Sequence, residues 1–360
     1  MKVQLPDFPW DTLAPLAQIA RSHSDGVVDL SVGTPVDPTP AVIRRALEEA
    51  SDAPGYPTTA GLPELAEACR GWLTRRIGGA PDIGILPTIG SKELVAWLPT
   101  GLGINPGDVV VIPEIAYPTY EVGALVAGAR IVATDEIENV PDAAMVWLNT
   151  PGNPTGAVLD LERMAQIVTW ARGRNIPVVS DECYFELGWS KQPISLMDTR
   201  VNGGDVRGLL AVHSLSKRSS MAGYRFGFVA GDPVIVADLL ATRKHLGMMV
   251  PTPIQRAAIA AYNDDSHVQE QRGRYERRRT KLLTALEQAG FRVDHSEAGL
   301  YLWCTRGEDA WATTQWFAEN GIIVAPGTFY GDDSHVRIAL TATDERIDAA
   351  VGRLVTSIRS

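Results

Sequence analysis

A lysine among small hydroxyl residues follows a short apolar run in the second half of the chain. The stretch reads GLLAVHSLSKRSS, and Lys217 comes just after an apolar part that is typical of a buried strand. A lysine that is desolvated in such a place can attack a carbonyl carbon and form a Schiff base. Ser214 and Ser216 offer hydroxyl groups to an anion, and Arg225, eight residues after the lysine, can grip a phosphate with two hydrogen bonds. These residues therefore predict a site for an aldehyde that carries a phosphate.

Pyridoxal 5′-phosphate (PLP) is such an aldehyde, and it also needs a carboxylate beside its ring nitrogen. Asp181 in SDECYFEL offers one at the end of a predicted strand, where a carboxylate without a partner would be costly. Tyr184, three residues later, and Asn153 in the rigid turn LNTPGNPTG could each bind the ring oxygen. Each residue also has an ordinary alternative, namely a helix cap for Asp181, packing for Tyr184 and a simple turn for Asn153.

Further candidates come from three separate stretches. Ser91 and Lys92 begin a predicted helix in TIGSKEL, where free backbone N–H groups and the helix dipole favour phosphate. Tyr117 in PEIAYPTY could stack on a flat ring. Arg337 lies within the apolar run HVRIAL and needs an anionic partner, for which a substrate carboxylate and a structural glutamate are equal alternatives.

Composition excludes several other kinds of protein. The net charge of −10 opposes sequence-independent binding to nucleic acid or to an anionic membrane. The three cysteines lie far apart, so they indicate neither a disulfide framework nor a zinc site, and a reducing cytoplasm is expected. The N-terminal stretch MKVQLPDFPWDTL has no apolar core of a signal peptide. Neither a HExxH nor a GxSxG motif occurs, so we expect no metal centre and no serine-hydrolase elbow.

Apolar runs that alternate with amphipathic helices must position these residues. The runs DVVVIP, ARIVAT, AAMVWLN, IPVVSDE, GLLAVHS and FGFVAGD are continuously apolar, which is typical of strands buried on both faces of a mostly parallel sheet. After about residue 245 a long charged helix and shorter strands give the chain α+β character. The sequence therefore predicts an α/β fold with a large domain over residues 38–245. A smaller α+β domain is predicted to combine residues 1–37 with residues 246–360.

Taken together, SVGTP, NPTG, SDECY, SLSK and the arginine eight residues after the lysine resemble the class I/II PLP-dependent aminotransferases of the aspartate aminotransferase fold, fold type I. The resemblance implies a seven-stranded sheet in the large domain and a homodimer with shared active sites. It also implies these roles: Lys217 as the Schiff-base and proton-transfer residue; Asp181 at the ring nitrogen; Asn153 and Tyr184 at the ring oxygen; Tyr117 stacked on the ring; Ser91, Lys92, Ser214 and Arg225 at the phosphate, with Tyr56 reaching it from the neighbouring subunit; and Arg337, Gly33 and Asn153 at the substrate.

Within this family the chain is most similar to N-succinyldiaminopimelate aminotransferases, which use glutamate and 2-oxoglutarate as the second substrate pair. Aminotransferases for aspartate, alanine or aromatic amino acids are the alternative. A PLP-dependent C–S lyase and a non-catalytic PLP-fold binding protein are lesser alternatives. A succinyl carboxylate would need a second cation, and the sequence does not choose among Lys92, Arg218, Lys244 and His245.

Overall fold

The computed structural model describes residues 4–78 and 82–356, which form one large sheet, two small sheets and the helices around them. The strands are β1 (Val28–Asp29), β2 (Gly84–Thr88), β3 (Val109–Ile112), β4 (Arg130–Ala133), β5 (Ala143–Asn149), β6 (Val178–Asp181), β7 (Leu209–Ser214), β8 (Gly227–Gly231), β9 (Arg292–Asp294), β10 (Tyr301–Thr305), β11 (Ile322–Ile323), β12 (Ala325–Pro326) and β13 (Val336–Ala339). The α-helices are α1 (Ala14–Arg21), α2 (Ala41–Glu49), α3 (Pro63–Ile77), α4 (Ser91–Gly101), α5 (Thr119–Ala127), α6 (Leu161–Arg172), α7 (Thr199–Asn202), α8 (Pro233–Leu246), α9 (Thr252–Asn263), α10 (Ser266–Gln288), α11 (Ala310–Glu319) and α12 (Asp344–Thr356).

The large sheet has seven strands in the order β2-β8-β7-β6-β5-β3-β4. Six of them run in the same direction, whereas β8 is antiparallel to its neighbours β2 and β7. The α/β fold and the seven-stranded, mostly parallel sheet are thus confirmed, as are all six strands predicted from apolar runs. Strand β2 was not among those six. It contains Pro87, which lacks an N–H group and is tolerated because β2 is an edge strand.

Helices cover both faces of this sheet, which explains its continuously apolar strands. Along β3, Val109 and Val111 lie in one buried cluster with residues of α3, α6 and α9, whereas Val110 lies in another with residues of α4, α5 and α8. Successive residues of one strand therefore contribute to two different cores.

A second region combines the N-terminal segment with the C-terminal third. It contains a four-stranded antiparallel sheet in the order β12-β13-β10-β9 and the parallel pair β1–β11. Leu30 ties the N-terminal segment to both, because its N–H donates to Ile323 O and its carbonyl accepts from Ala339 N. Helix α9 instead shares the core of the large sheet through Ala257 and Tyr262. The domain division at residue 245 stays a prediction.

Three adjacent strands of the large sheet have their carboxyl ends side by side. Asn149 is paired with Asp181 where β5 and β6 end, and β7 lies beside β6 and ends at Ser214. The turn that carries Asn153 and the loop that carries Lys217 follow directly. Ligands of open α/β sheets bind at the carboxyl ends of strands, so this edge is where a site is expected.

Candidate active site

Lys217 lies three residues beyond β7, and its side chain points to the N-terminal segment. Its Nζ donates to the carbonyl oxygen of Gly33 at 2.5 Å. Surrounding protein replaces water around the ammonium group and lowers its pKa, an effect that Arg337 and Arg225 strengthen and that Tyr301 opposes. A lower pKa makes more of the neutral amine available, which is the form that attacks a carbonyl carbon.

Asp181 ends β6 and is buried beside the same edge of the sheet. Its Oδ2 accepts from Tyr120 Oη at 3.0 Å, and its Oδ1 accepts from the backbone N–H of Cys183 at 3.2 Å. Burial raises the pKa of this carboxyl group, although both hydrogen bonds oppose the effect. Tyr120 was not predicted as a site residue. It stacks on Trp147 at 4.9 Å between ring centroids, and a tyrosine in an apolar helix gives no sign in the sequence of which carboxylate it will meet.

Asn153 connects the turn after β5 to Arg337. Its backbone N–H donates to Asn149 Oδ1 at 2.7 Å, and its own Oδ1 accepts from Arg337 Nη1 at 2.9 Å. Because the amide oxygen faces the guanidinium group, the Nδ2 hydrogens remain for another acceptor. That arrangement fits the ring oxygen expected there.

Arg337 is a buried cation that has no acidic partner in the part of the chain that the structure describes. Its side chain is 2% exposed, and its Nη2 donates to Ser31 O at 2.5 Å. Nε has no hydrogen-bond partner, and no carboxylate lies within 4.0 Å of the guanidinium group among the residues that the structure describes. The rings of Tyr301, Tyr330 and Trp10 lie 4.0, 5.0 and 5.6 Å from its Cζ. A buried charge of this kind calls for an anion from outside the chain.

The candidate phosphate site forms where α4 begins. Gly90 precedes the helix with φ of 72°, and a Cβ there would overlap the guanidinium group of Arg225. Arg225 itself has φ of 55° and donates from Nη1 to Ala222 O at 2.8 Å. A Cβ on Gly227 would lie 3.1 Å from the backbone nitrogen of Ser91. The two glycines thus allow the free N–H groups of α4 and a guanidinium group to converge, as phosphate binding requires.

Ser214 and Lys92 are also predicted to bind the phosphate, and they lie in different environments. Ser214 is buried, and its Oγ donates to Ser216 Oγ at 2.9 Å. The side chain of Lys92 is exposed and extends over the ring of Phe8, with Nζ 5.5 Å from the centroid. The backbone of Lys92 therefore belongs to the first turn of α4 while its side chain points elsewhere.

The aromatic candidates divide between the site and the surface. Tyr184 Oη lies 3.1 Å from Tyr301 Oη, in a buried position. Tyr117 packs edge-on against Tyr120 at 5.7 Å, and burial raises the pKa of Tyr117 to about 12. Tyr56, in contrast, is 97% exposed on the loop between α2 and α3. Tyr301 was missed by sequence reasoning, since in GLYLWC it resembles any apolar strand residue.

The described residues include groups that fit the aldehyde, the ring nitrogen, the ring oxygen and the phosphate of PLP. They comprise a lysine with a lowered pKa, a buried carboxyl group, an amide with unused hydrogens and a glycine-lined cradle with a guanidinium group. In residues 4–78 and 82–356 no group of three His, Cys, Asp or Glu side chains could hold a metal ion. The same residues include no helix with the length and apolar character needed to cross a membrane.

Comparison with known proteins gives a consistent result over nearly the whole chain. Residues 25–354 match the family described as aminotransferase class I and II. The chain is 56% identical to the probable aminotransferase Rv1178 of Mycobacterium tuberculosis, over 98% of this chain and 86% of that protein. It is 54% identical to the 4-dedimethylamino-4-oxo-anhydrotetracycline transaminase OxyQ of Streptomyces rimosus, over 98% and 99%.

Two further comparisons concern a more distant relative and a solved structure. The LL-diaminopimelate aminotransferase of Aquifex aeolicus is 33% identical over 97% of this chain and 96% of that protein. The crystal structure of an aminotransferase from Neisseria meningitidis superposes with a TM-score of 0.88 at 31% identity, covering 99% of this chain and 98% of that one.

Proposed function

The chain belongs to the class I and II aminotransferases, which depend on PLP, and we propose that its amino substrate is N-succinyl-LL-2,6-diaminopimelate, with glutamate and 2-oxoglutarate as the second pair. The observation that carries the proposal is the buried guanidinium group of Arg337, which has no carboxylate partner among the described residues. An α-carboxylate supplied by the substrate would neutralise it. The 33% identity to an LL-diaminopimelate aminotransferase supports the choice of substrate skeleton.

We assign the reacting roles to residues at the end of the large sheet. Bound PLP supplies an electron sink for the bond that breaks at the substrate's Cα. Lys217 would hold PLP through its Nζ and would move the proton at the substrate's Cα. The Asp181 carboxylate keeps the proton on the ring nitrogen, and Tyr120 Oη orients that carboxylate. Asn153 Nδ2 and Tyr184 Oη donate to the ring oxygen.

The remaining roles concern binding. We assign Tyr117 to stacking on the ring and the backbone of Gly33, whose carbonyl group accepts from Lys217, to contact with the substrate. The groups assigned to the phosphate are the backbone N–H groups of Ser91 and Lys92, the hydroxyl of Ser214 and the guanidinium group of Arg225.

The distal carboxylate of the succinyl group is assigned to Lys92. Arg218 was a candidate for this role, but its guanidinium group is 4% exposed and pairs with Glu186 at 2.6 Å, so it is not free to bind substrate. Lys244 and His245 are exposed in the last turn of α8. Lys92 instead contacts Phe8, two residues from Trp10, which flanks Arg337. A short segment thus connects one free cation to the α-carboxylate site.

A cytoplasmic homodimer with shared active sites is part of the proposal. Tyr56 is 97% exposed within one chain, and a phenol reaching a neighbouring subunit's phosphate must protrude in this way. The net charge of −10 favours small-molecule substrates rather than nucleic acid as partners.

A second candidate function is transamination of a ketone on a bulky ring system. It is favoured by the 54% identity to OxyQ over 99% of that protein. Phe8, Trp10 and Phe329 form an aromatic cluster beside Arg337, with ring centroids 5.6 and 5.3 Å apart, and such rings can pack on a flat substrate.

The test is a single-substrate reaction followed through the cofactor's visible absorption. PLP-loaded protein is mixed separately with N-succinyl-LL-2,6-diaminopimelate, glutamate, aspartate, alanine and phenylalanine, and Lys217→Ala serves as the inactive control. We expect rapid loss of the visible band with the first two compounds. Loss with glutamate but not with the succinyl compound would overturn the substrate assignment, and would direct attention to ring ketones.

A further inference from the structure

Tyr301, on β10 of the second region, contacts three of the candidate site residues at once. Its side chain is 3% exposed, and its Oη lies 3.1 Å from Tyr184 Oη. Its ring lies 4.0 Å from Arg337 Cζ. A Cβ on Gly33 would overlap Tyr301 Oη, so the phenol lies against the backbone that accepts the hydrogen bond of Lys217.

The buried hydroxyl group of Tyr301 destabilises the fold unless it makes a hydrogen bond. A buried hydroxyl without a hydrogen bond is destabilising, and phenylalanine would fill the same volume without that cost. The close approach to Gly33 also makes a side chain at position 33 impossible without movement of Tyr301. Packing alone therefore does not account for a tyrosine here.

The number of hydroxyl hydrogens on Tyr301 and Tyr184 determines which hydrogen bonds the two side chains can donate. Two hydroxyl groups in contact have two hydrogens, and their mutual hydrogen bond uses only one. If Tyr301 donates to Tyr184, the hydrogen of Tyr184 remains available for an acceptor in the site. The guanidinium group over the Tyr301 ring favours this direction, because a nearby positive charge makes a phenol a stronger donor.

We propose that Tyr301 is a positioning residue that acts through Tyr184: it donates to the Tyr184 hydroxyl and thereby directs the Tyr184 hydrogen to the ring oxygen of PLP. The inference rests on the role assigned to Tyr184 but not on the identity of the amino substrate. The chain Tyr301–Tyr184–ring oxygen is a cooperative one, in which each donor strengthens the next. Because Tyr301 belongs to the second region, that region influences the hydrogen bond that Tyr184 makes at the end of the large sheet.

The test is the pH midpoint of the cofactor's visible band, measured without substrate. A hydrogen bond donated to the ring oxygen of PLP stabilises the negative charge on that oxygen. The oxygen then attracts the proton on the neighbouring lysine nitrogen less strongly. Tyr301→Phe should therefore raise the midpoint, by about 0.5–1 pH unit. Tyr184→Phe should raise it further, and the double variant should match Tyr184→Phe alone, because Tyr301 acts only through Tyr184.

Matched variants keep the test decisive. Tyr330→Phe is the control, since Tyr330 also flanks Arg337 and is 3% exposed, but its Oη has no hydrogen-bond partner among the described residues. A 3-fluorotyrosine at position 301 is a stronger donor and should lower the midpoint, so it serves if Tyr301→Phe folds poorly. The proposal would be overturned if Tyr301→Phe left the midpoint unchanged. It would also be overturned if adding Tyr301→Phe to Tyr184→Phe shifted the midpoint as much as Tyr301→Phe does alone. Failure of the substrate assignment would leave every one of these spectra unchanged.

Discussion

Two buried arginines lie in similar aromatic surroundings and differ in one partner. Arg218 has the rings of Trp72 and Tyr262 at 5.6 and 5.0 Å, and Arg337 is flanked by tyrosine and tryptophan rings at 4.0 to 5.6 Å. Arg218 pairs with the carboxylate of Glu186 at 2.6 Å. Within residues 4–78 and 82–356, Arg337 donates to a carbonyl oxygen and an amide oxygen but to no carboxylate.

The difference separates a structural charge from a binding charge. A guanidinium group that is neutralised inside the chain stabilises the fold and offers nothing to a ligand. One that is buried without an anion destabilises the fold until a ligand arrives, and the binding energy of that ligand includes the relief. Aromatic faces provide partial compensation in both cases. The presence of an internal carboxylate is therefore what decides the role.

The largest effect is expected where the internal pair is broken. Glu186→Gln leaves Arg218 without its carboxylate, and also weakens contacts from Arg76 Nε and Trp72 Nε1. The free energy of unfolding should fall by about 3–5 kcal/mol, since one buried charge remains unpaired. Urea unfolding measures this loss. As a control, Glu138→Gln removes the more exposed pair with Arg163 and should cost about 0.2–1 kcal/mol.

Arg337 pairs with no carboxylate among the described residues, so its removal should reduce activity rather than stability. Arg337→Leu should lower kcat/KM by about 30-fold or more, because the substrate's carboxylate loses a charged partner worth about 2–5 kcal/mol. The free energy of unfolding should stay the same or rise, since a buried unpaired charge is removed. Steady-state kinetics and urea unfolding of one preparation test both statements. A loss of stability equal to that of Glu186→Gln would contradict the comparison.

This contrast marks a limit of sequence reasoning. In HVRIAL the arginine had a substrate carboxylate and a structural glutamate as equal alternatives, because sequence does not show which acidic residues lie within 4 Å. The motifs NPTG, SDECY and SLSK predicted that Asn153, Asp181 and Lys217 lie together, since each motif stands at or just after the end of an apolar strand and parallel strands end together. Six strands of the large sheet followed from the same apolar runs, whereas the number seven was implied by the family resemblance.

What was missed depends on contacts between distant segments. Tyr301 meets Tyr184 across 117 positions of sequence, and Tyr120 meets Asp181 across 61. A tyrosine in an apolar strand or helix has the same pattern whether its hydroxyl group reaches a carboxylate or only packs. Strand β2 was missed for a local reason, since Pro87 in GILPT argues against a strand unless its edge position is known.

Glu182, in the neighbourhood of Arg218, should make the stability of the protein depend on pH. Glu182 Oε2 lies 3.7 Å from His213 Nε2, with both side chains buried, and burial raises the pKa of Glu182 to about 7. A folded-state pKa above the unfolded value stabilises the protein at low pH, and that stability is lost as pH rises through about 7. Burial lowers the pKa of His213 to about 3, so His213 acts in the opposite direction and adds stability as pH rises through its unfolded pKa.

The measurement compares the free energy of unfolding at pH 6 and pH 8. Relative to Glu182→Gln, whose amide does not titrate, the wild type should lose on the order of 1–2 kcal/mol of stability across this interval. An identical pH dependence in the two proteins would show that Glu182 is ionised throughout.

The smallest effect is expected at the exposed cation. Lys92→Gln should raise KM for N-succinyl-LL-2,6-diaminopimelate about 3- to 10-fold, as expected for a solvent-exposed charge contact of roughly 1 kcal/mol. The KM for the N-acetyl analogue, which lacks the distal carboxylate, should not change. Equal increases for both compounds would indicate that Lys92 acts on the cofactor phosphate rather than on the succinyl group.

The proline in β2 has a consequence for how the folded protein behaves in crowded solution. The outer edge of a sheet carries unpaired backbone groups onto which a strand from another molecule can add, which is how ordered aggregates begin. Pro87 removes one donor from the five-residue strand Gly84–Thr88, and so shortens the row available for such growth. The residue that hides this strand from pattern recognition also helps to protect the sheet from self-association.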